Sequence, residues 1–173
     1  SNHWPNTTMF WYVDEKKQVR SAKIMRYNPD NGKRIKDGPY FNWIHRVENI
    51  DGFKLEKCLF GLHLLKDDNN TIGIVESDKT ALLCAYLLPK LTWMATGGKS
   101  GLNASILKPI QGRKIILYPD LKAYNDWREK ADLIRQELPL IDISTSTVLI
   151  DRYDVNGPND YDLADVLRRS TSL

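Results

Sequence analysis

From residue 71 onward, short continuous apolar runs alternate with longer stretches of helical spacing. Thr71–Val75 reads as a strand. Ser77–Leu88 reads as a helix with Ala81, Leu82, Ala85 and Leu88 on one side, stopped by Pro89. Leu91–Ala95 is a second apolar strand, and Asn103 suits the cap of a short helix over Ala104–Leu107. Lys114–Tyr118 is a third strand. Tyr124–Leu138 is amphipathic, with Trp127, Ala131, Leu133, Ile134 and Leu138 predicted inward. Leu140–Ile143 reads as a fourth strand and Asp162–Arg169 as a last helix. Strands that are apolar throughout, separated by helices, predict a mainly parallel four-stranded sheet covered on both faces.

The first third has a different style. Met9–Val13 is aromatic and β-branched, Asp14-Glu15-Lys16-Lys17 is a polar turn, and Val19–Tyr27 alternates with some slippage in phase. Pro29-Asp30-Asn31-Gly32 is a strong turn signal, because proline presets the entry and glycine accepts a positive φ. Phe41–His45 is a further short aromatic strand. The pattern predicts a small antiparallel β unit over residues 1–66. After the polar loop Lys66–Asn70, an α/β domain of Rossmann-like type is expected over residues 71–173.

At 173 residues, 42% hydrophobic and 27% charged, the chain has an ordinary globular balance and room for a useful core. No apolar run approaches the ~20 residues of a membrane span, and no basic-then-apolar leader opens the chain. These features predict a cytoplasmic protein without a membrane partner. The start at Ser1 reads as an excerpt of something longer. Cys58 and Cys84 belong to no C-x-x-C pair, so they are expected as small buried hydrophobes in a reducing compartment, with no zinc in this chain. Residues 1–50 carry nine Lys/Arg and five Asp/Glu, a balance of +4, against −1 for the remainder. The first third is therefore the better candidate for facing an anion such as nucleic acid, with a solvated strand face as the plain alternative.

In an open parallel sheet, ligands bind beyond the carboxyl ends of the strands. Three features fall there. Glu76 closes the first strand, Gly97-Gly98-Lys99-Ser100-Gly101 follows the second, and Asp120 closes the third. Mg²⁺ often takes only one or two protein carboxylates and fills its shell with water and phosphate oxygens, so Glu76 and Asp120 are candidate ligands and catalytic residues. Caps or solvated loop acids would look the same by spacing. Gly97, Gly98, Lys99 and, one helical turn into the first helix, Lys79 are candidates for binding a phosphate. A tight turn and an exposed helix lysine are the alternatives, and the loop is not a G-x-x-x-x-G-K-[ST] P-loop. His3, His45 and His63 are scattered and expected to be structural. Trp11, Tyr12, Tyr40, Phe41 and Trp43 interleave with basic residues, as a base-stacking surface or as the core of the small β unit.

Ile74-Val75-Glu76-Ser77-Asp78-Lys79-Thr80-Ala81, then Ala95-Thr96-Gly97-Gly98, then Ile115-Ile116-Leu117-Tyr118-Pro119-Asp120 resemble the ordered motifs of toprim domains, the catalytic domains of bacterial-type primases, topoisomerases and related nucleases. Phe10-Trp11, Gly32-Lys33-Arg34, Asn42-Trp43-Ile44-His45 and Leu59-Phe60-Gly61 resemble the segment preceding toprim in uncharacterised proteins of Bacteroides-type bacteria and their mobile elements. The resemblance implies a toprim core over about residues 71–170 and a metal-binding glutamate at Glu76. It also implies the first aspartate of a D-x-D pair at Asp120. The second aspartate would fall on Lys122, which cannot ligate a cation; Asp126 is the nearby acid that could compensate, giving an expected metal set of Glu76, Asp120 and Asp126. Asp162 and Asp165 resemble acids in the tail of primase-like toprims.

The resemblance implies a primase-like module in DNA replication of a mobile element. Its chemistry would be nucleotidyl or phosphoryl transfer with Mg²⁺, or alternatively Mn²⁺. Its partners would be DNA and other domains of a longer replication protein. Lys122 keeps open a catalytically degenerate scaffold that binds nucleic acid or serves as an adaptor.

Overall fold

A computed structural model describes residues 7–36, 41–49, 51–66 and 68–170. The chain divides into two compact units, Ser1–His63 and Leu64–Leu173.

The first unit is built on a three-stranded antiparallel sheet in the order β1-β2-β3, with β1 Thr7–Val13, β2 Val19–Arg26 and β3 Phe41–Trp43. The hairpin between β1 and β2 is closed by Asp14, whose carboxylate accepts from the backbone N–H of Lys16 (2.9 Å) and Gln18 (2.8 Å) and from Arg20 Nε (2.8 Å). A register shift between Tyr12 and Val13 accounts for the slipped alternation of the sequence. Phe10 and Tyr12 are buried, edge-on to Phe60 with centroids 5.7 and 5.9 Å away. Trp11 and Phe41 stay exposed, and Tyr40 and His3 lie outside the described residues. The predicted strand Phe41–His45 is shorter than expected: Ile44–Val47 forms a helical turn, α1. His45 Nδ1 lies 2.7 Å from the buried Ser21 hydroxyl and its ring stacks on Phe53.

The second unit is α/β. Its sheet has the order β5-β4-β6-β7, and all three pairings are parallel. The strands are β4 Ile72–Val75, β5 Thr92–Ala95, β6 Lys114–Tyr118 and β7 Asp142–Thr145. All of β4 is buried, as an apolar strand covered on both faces must be. The helices are α2 Asp78–Leu87, α3 Ala104–Leu107, α4 Tyr124–Glu137 and α5 Leu163–Ser170. Asn103 caps α3 by accepting from Ile106 N (3.2 Å). No helix among the described residues is long and apolar enough to cross a membrane.

Three expectations need correction. On α2 the buried side is Thr80, Ala81 and Cys84, while Leu82 and Leu88 are exposed. The alternative stripe of Ala81, Leu82, Ala85 and Leu88 is equally helical in spacing, and only the packing of α2 on β5 and α5 separates them. On α4, Trp127, Ala131 and Ile134 form the buried i, i+4, i+7 stripe, and Leu133 falls beside that stripe and is exposed. The fourth strand begins at Asp142, not Leu140. Ile141 N donates to Leu138 O (3.0 Å), so residues 139–141 make the turn, and Leu140 is 83% exposed.

Both cysteines are free thiols; burial pushes Cys58 up to about 11 and Cys84 up to about 12, so neither is a ready nucleophile.

Gly73, in the middle of β4, lies under the ring of Trp93, and a Cβ there would meet the ring at 2.6 Å. The ring is held by Nε1 donating to Leu88 O (2.8 Å) and by Tyr118, 5.0 Å away. Gly73→Ala should therefore cost about 1–3 kcal/mol by overpacking, read from urea denaturation. A midpoint unchanged from wild type would mean that the Trp93 ring yields freely.

Candidate functional site at the carboxyl edge of the parallel sheet

Because β4, β5 and β6 are parallel and in register, Val75 pairs with both Ala95 and Tyr118. The residues that follow each strand therefore emerge along one edge: Glu76, then Thr96 with the glycine loop, then Pro119-Asp120.

Neither acid serves as the helix cap that spacing alone allowed. Ser77, not Glu76, caps α2, its hydroxyl accepting from Thr80 N (3.2 Å). Asp120 precedes a single 3₁₀ turn, Leu121–Ala123, with no side-chain cap hydrogen bond; its backbone carbonyl accepts from Ala123 N (2.9 Å) instead. The Asp120 carboxyl is pushed up to about 8, first by burial and then by the negative charges of Glu76, Asp162, Asp160 and Asp165.

Three of those acids come from the tail. After β7 the chain turns back, and Tyr161 O accepts from Leu121 N (2.9 Å). Asp160 Oδ1 accepts from the backbone N–H of Lys122 (2.9 Å). This return is held by a small apolar cluster of Leu121, Leu149 and Val166, with Tyr153 and Tyr161 packed ring to ring at 4.2 Å. Asp162 and Asp165 form a reciprocal cap at the start of α5, each carboxylate accepting the other's backbone N–H at 2.9 and 3.1 Å. The second oxygen of Asp162 accepts from Thr80 Oγ1 on α2 (2.8 Å).

The glycine loop is tight. Gly97 adopts φ 78°, and a Cβ on Gly101 would stand 2.4 Å from the Thr96 carbonyl oxygen. Thr96 Oγ1 lies 3.0 Å from Gly98 O and 3.5 Å from Glu76 O, which ties the loop to the end of β4. Lys99 is exposed, and its carbonyl accepts from Trp127 Nε1 (3.4 Å) and Lys130 Nζ (3.3 Å). Lys79 is half-buried in the first turn of α2.

Of the expected metal set, Glu76 and Asp120 share the edge and influence each other electrostatically. Asp126 pairs with Lys130 at 2.9 Å, and it is not among the acids that raise Asp120. Lys122 is exposed, with Nζ 3.5 Å from Pro158 O. Among the described residues, no three His, Cys, Asp or Glu side chains stand together as a ready metal cluster. Two carboxylates in an acidic setting still fit a hard cation that keeps its waters. Sequence reasoning missed Asp160, because a contact 38 positions from Lys122 leaves no local signal. Asp162 and Asp165 did leave one, an acid-x-x-acid pair ahead of an apolar run.

A comparison with curated protein sequences gives no match. Solved structures do. The primase fragment of the bacteriophage T7 primase-helicase protein aligns with TM-score 0.62 at 17% identity, over 96% of this chain and 59% of that one. The RNA polymerase domain of the Mycobacterium tuberculosis primase DnaG aligns with TM-score 0.62 at 14% identity, over 96% and 52%. A structure of bacteriophage T7 lagging-strand DNA polymerase, interacting with primase domains of two gp4 subunits bound to an RNA/DNA hybrid and dTTP, aligns with TM-score 0.57 at 18% identity, over 94% and 72%. The chain thus spans between half and three quarters of the length of these neighbours. At such identities the likeness speaks for the fold: the second unit has the toprim-like architecture of primase domains. The family described as Domain of unknown function (DUF6371) matches residues 1–121, which include Glu76, the glycine loop and Asp120, and the chain belongs to that family.

Proposed function

We propose that the second unit is a primase-like module that holds a divalent cation, Mg²⁺ or Mn²⁺, at Glu76 and Asp120 and directs it at phosphate groups of nucleotides or DNA. The carrying observation is that Glu76 and Asp120 follow neighbouring parallel strands at one edge of the sheet, with the Asp120 carboxyl raised to about 8, first by burial and then by Glu76 and the tail acids. A bound cation would offset that repulsion, and in phosphoryl chemistry it neutralises charge developing on the transferred group.

The roles of the side chains follow from their places. Glu76 and Asp120 supply the ligands, and the tail acids Asp160 and Asp162 supply further negative charge around them. Gly97, Gly98 and Lys99 follow the neighbouring strand, where a loop without side chains at two positions admits a phosphate close to the backbone. Lys79 adds a positive charge from the first turn of α2. The T7 complex of lagging-strand DNA polymerase with primase domains of two gp4 subunits is bound to an RNA/DNA hybrid and dTTP, which makes nucleic acid and nucleoside triphosphates the first ligands to test. Work within a longer replication protein of a mobile element rests on the motif resemblance.

A second reading has its own support. Lys122 stands where the resembling motif has an acid, and residues 1–50 carry a balance of +4. These favour a nucleic-acid-binding scaffold without catalysis. It requires binding that weakens with salt as phosphate contacts are lost, and an absence of DNA or RNA binding at low salt would remove it.

The catalytic reading is tested in two steps. Mn²⁺ binding, followed by electron paramagnetic resonance or calorimetry, should weaken by about tenfold or more in Glu76→Gln and in Asp120→Asn, since each removes a charged ligand. Primer synthesis or nucleic-acid cleavage in Mg²⁺ should be abolished by Glu76→Gln. Undiminished activity in that variant would sink the role assigned to Glu76.

The raised carboxyl also sets a pH dependence. An acid whose folded pKa lies above its unfolded value keeps a proton that the unfolded chain has released. Its cost is absent below the usual carboxylate range and grows as pH rises toward 8. The cation-free chain should therefore lose stability between about pH 4 and pH 8 in a denaturation series. Asp120→Asn should flatten that slope, and Mn²⁺ should restore stability at the upper end. Parallel slopes for wild type and Asp120→Asn would show that Asp120 titrates normally.

A further inference from the structure

We infer that Thr80 is a positioning residue for the acidic edge, holding the Asp162 carboxylate in one orientation so that the segment after β7 becomes part of the site. The inference rests on the cation-site reading proposed above, and it concerns two residues of which one, Asp162, lies beyond the stretch matched by the family.

Thr80 is 1% exposed, so its hydroxyl must find partners inside the protein. It has two: Asp162 Oδ2 at 2.8 Å and Ser77 Oγ at 3.1 Å. An ionised carboxylate only accepts, so Thr80 gives its proton to Asp162. The Ser77 hydroxyl then donates to Thr80 Oγ1 while accepting from Thr80 N (3.2 Å). A one-way relay results, running Ser77 to Thr80 to Asp162, and Ser77 is the residue immediately after Glu76. Two short hydroxyl side chains thus join the end of β4 to a carboxylate 82 positions away from Thr80.

The other oxygen of Asp162 is occupied by the N–H of Asp165. Each oxygen of a carboxylate has two lone-pair directions, so both retain accepting capacity after these bonds are made. The group is fixed in angle and still able to accept from a cation-bound water. That is the service an outer partner performs for a metal site: it orients a carboxylate rather than touching the ion. A threonine that merely filled space between α2 and α5 would need no hydroxyl here.

The test uses the full chain, with Mn²⁺ alone as the probe and thermal melting alongside. Thr80→Val keeps the shape and removes the donor; it should weaken Mn²⁺ binding about tenfold, whereas Thr80→Ser should stay within about twofold of wild type. Asp162→Asn keeps the shape but loses the charge and one of the two acceptor oxygens, since its NH₂ only donates, and should weaken binding at least as much as Thr80→Val. In that background Thr80→Val should add little, because the two residues act as one unit. Wild-type affinity in Thr80→Val, with binding lost in Glu76→Gln, would overturn the role of Thr80 and leave the cation site standing. Equal losses in Thr80→Val and Thr80→Ser would also overturn it, since packing would then be the cause. No Mn²⁺ binding by the wild-type chain would remove the site and this inference together. Where Thr80→Val melts too low to titrate, Asp162→Asn decides, and wild-type affinity in that variant overturns the inference.

Discussion

The second unit depends on one electrostatic constraint: a carboxyl, Asp120, is kept largely buried among four other acids at the carboxyl edge of a parallel sheet. Burying one carboxyl near other acids opposes folding once it ionises, so something in the structure must oppose that cost in turn. The backbone does part of this. Asp160 is held on the Lys122 N–H, and Asp162 and Asp165 hold each other's N–H groups at the start of α5. The side chains of α2 do another part through Thr80. Asp120 has no corresponding cap bond, and its pKa is raised first by its burial and then by the neighbouring acids.

The architecture that gathers these acids was legible where the signal is local. Continuous apolar strands separated by helical spacing announced a parallel sheet. Strand ends then put Glu76, the glycine loop and Asp120 on one edge, because parallel strands in register share a direction. What could not be read locally was rotation. On α2, two stripes of apolar residues fit a helical period, and the buried one runs through Thr80, Ala81 and Cys84. That stripe contains a polar residue, so hydrophobicity alone favoured the wrong face. Thr80 is buried because a distant aspartate accepts its hydrogen bond, a fact that no window of eleven or eighteen residues contains.

The site was legible to the same extent. Glu76 and Asp120, the candidate acids at strand ends, stood out by position, and Asp126, expected beside them, pairs with Lys130 in the fold. The tail acids arrive by a long return after β7, pinned by Tyr153 against Tyr161 and by Leu121, Leu149 and Val166. Long-range closure of this kind is set by packing, so a motif-by-motif reading sees the acids of the strands and undercounts those of the tail.

Lys122 is the residue at which that difference matters most. Compared position by position with the resembling motif, it is a lost acid, and a lost acid argues for lost chemistry. In the fold its side chain is exposed, and its backbone N–H holds Asp160. Any residue except proline would offer that N–H, so the identity of the side chain at 122 leaves the bond untouched. Negative charge that the motif would carry on residue 122 is instead carried on a carboxylate anchored to residue 122. The substitution therefore weighs less against a cation site than the sequence comparison implies. What weighs more is whether Asp160 and Asp162 keep their places, and that is a property of the return of the tail and of its two hydrogen-bonded anchors.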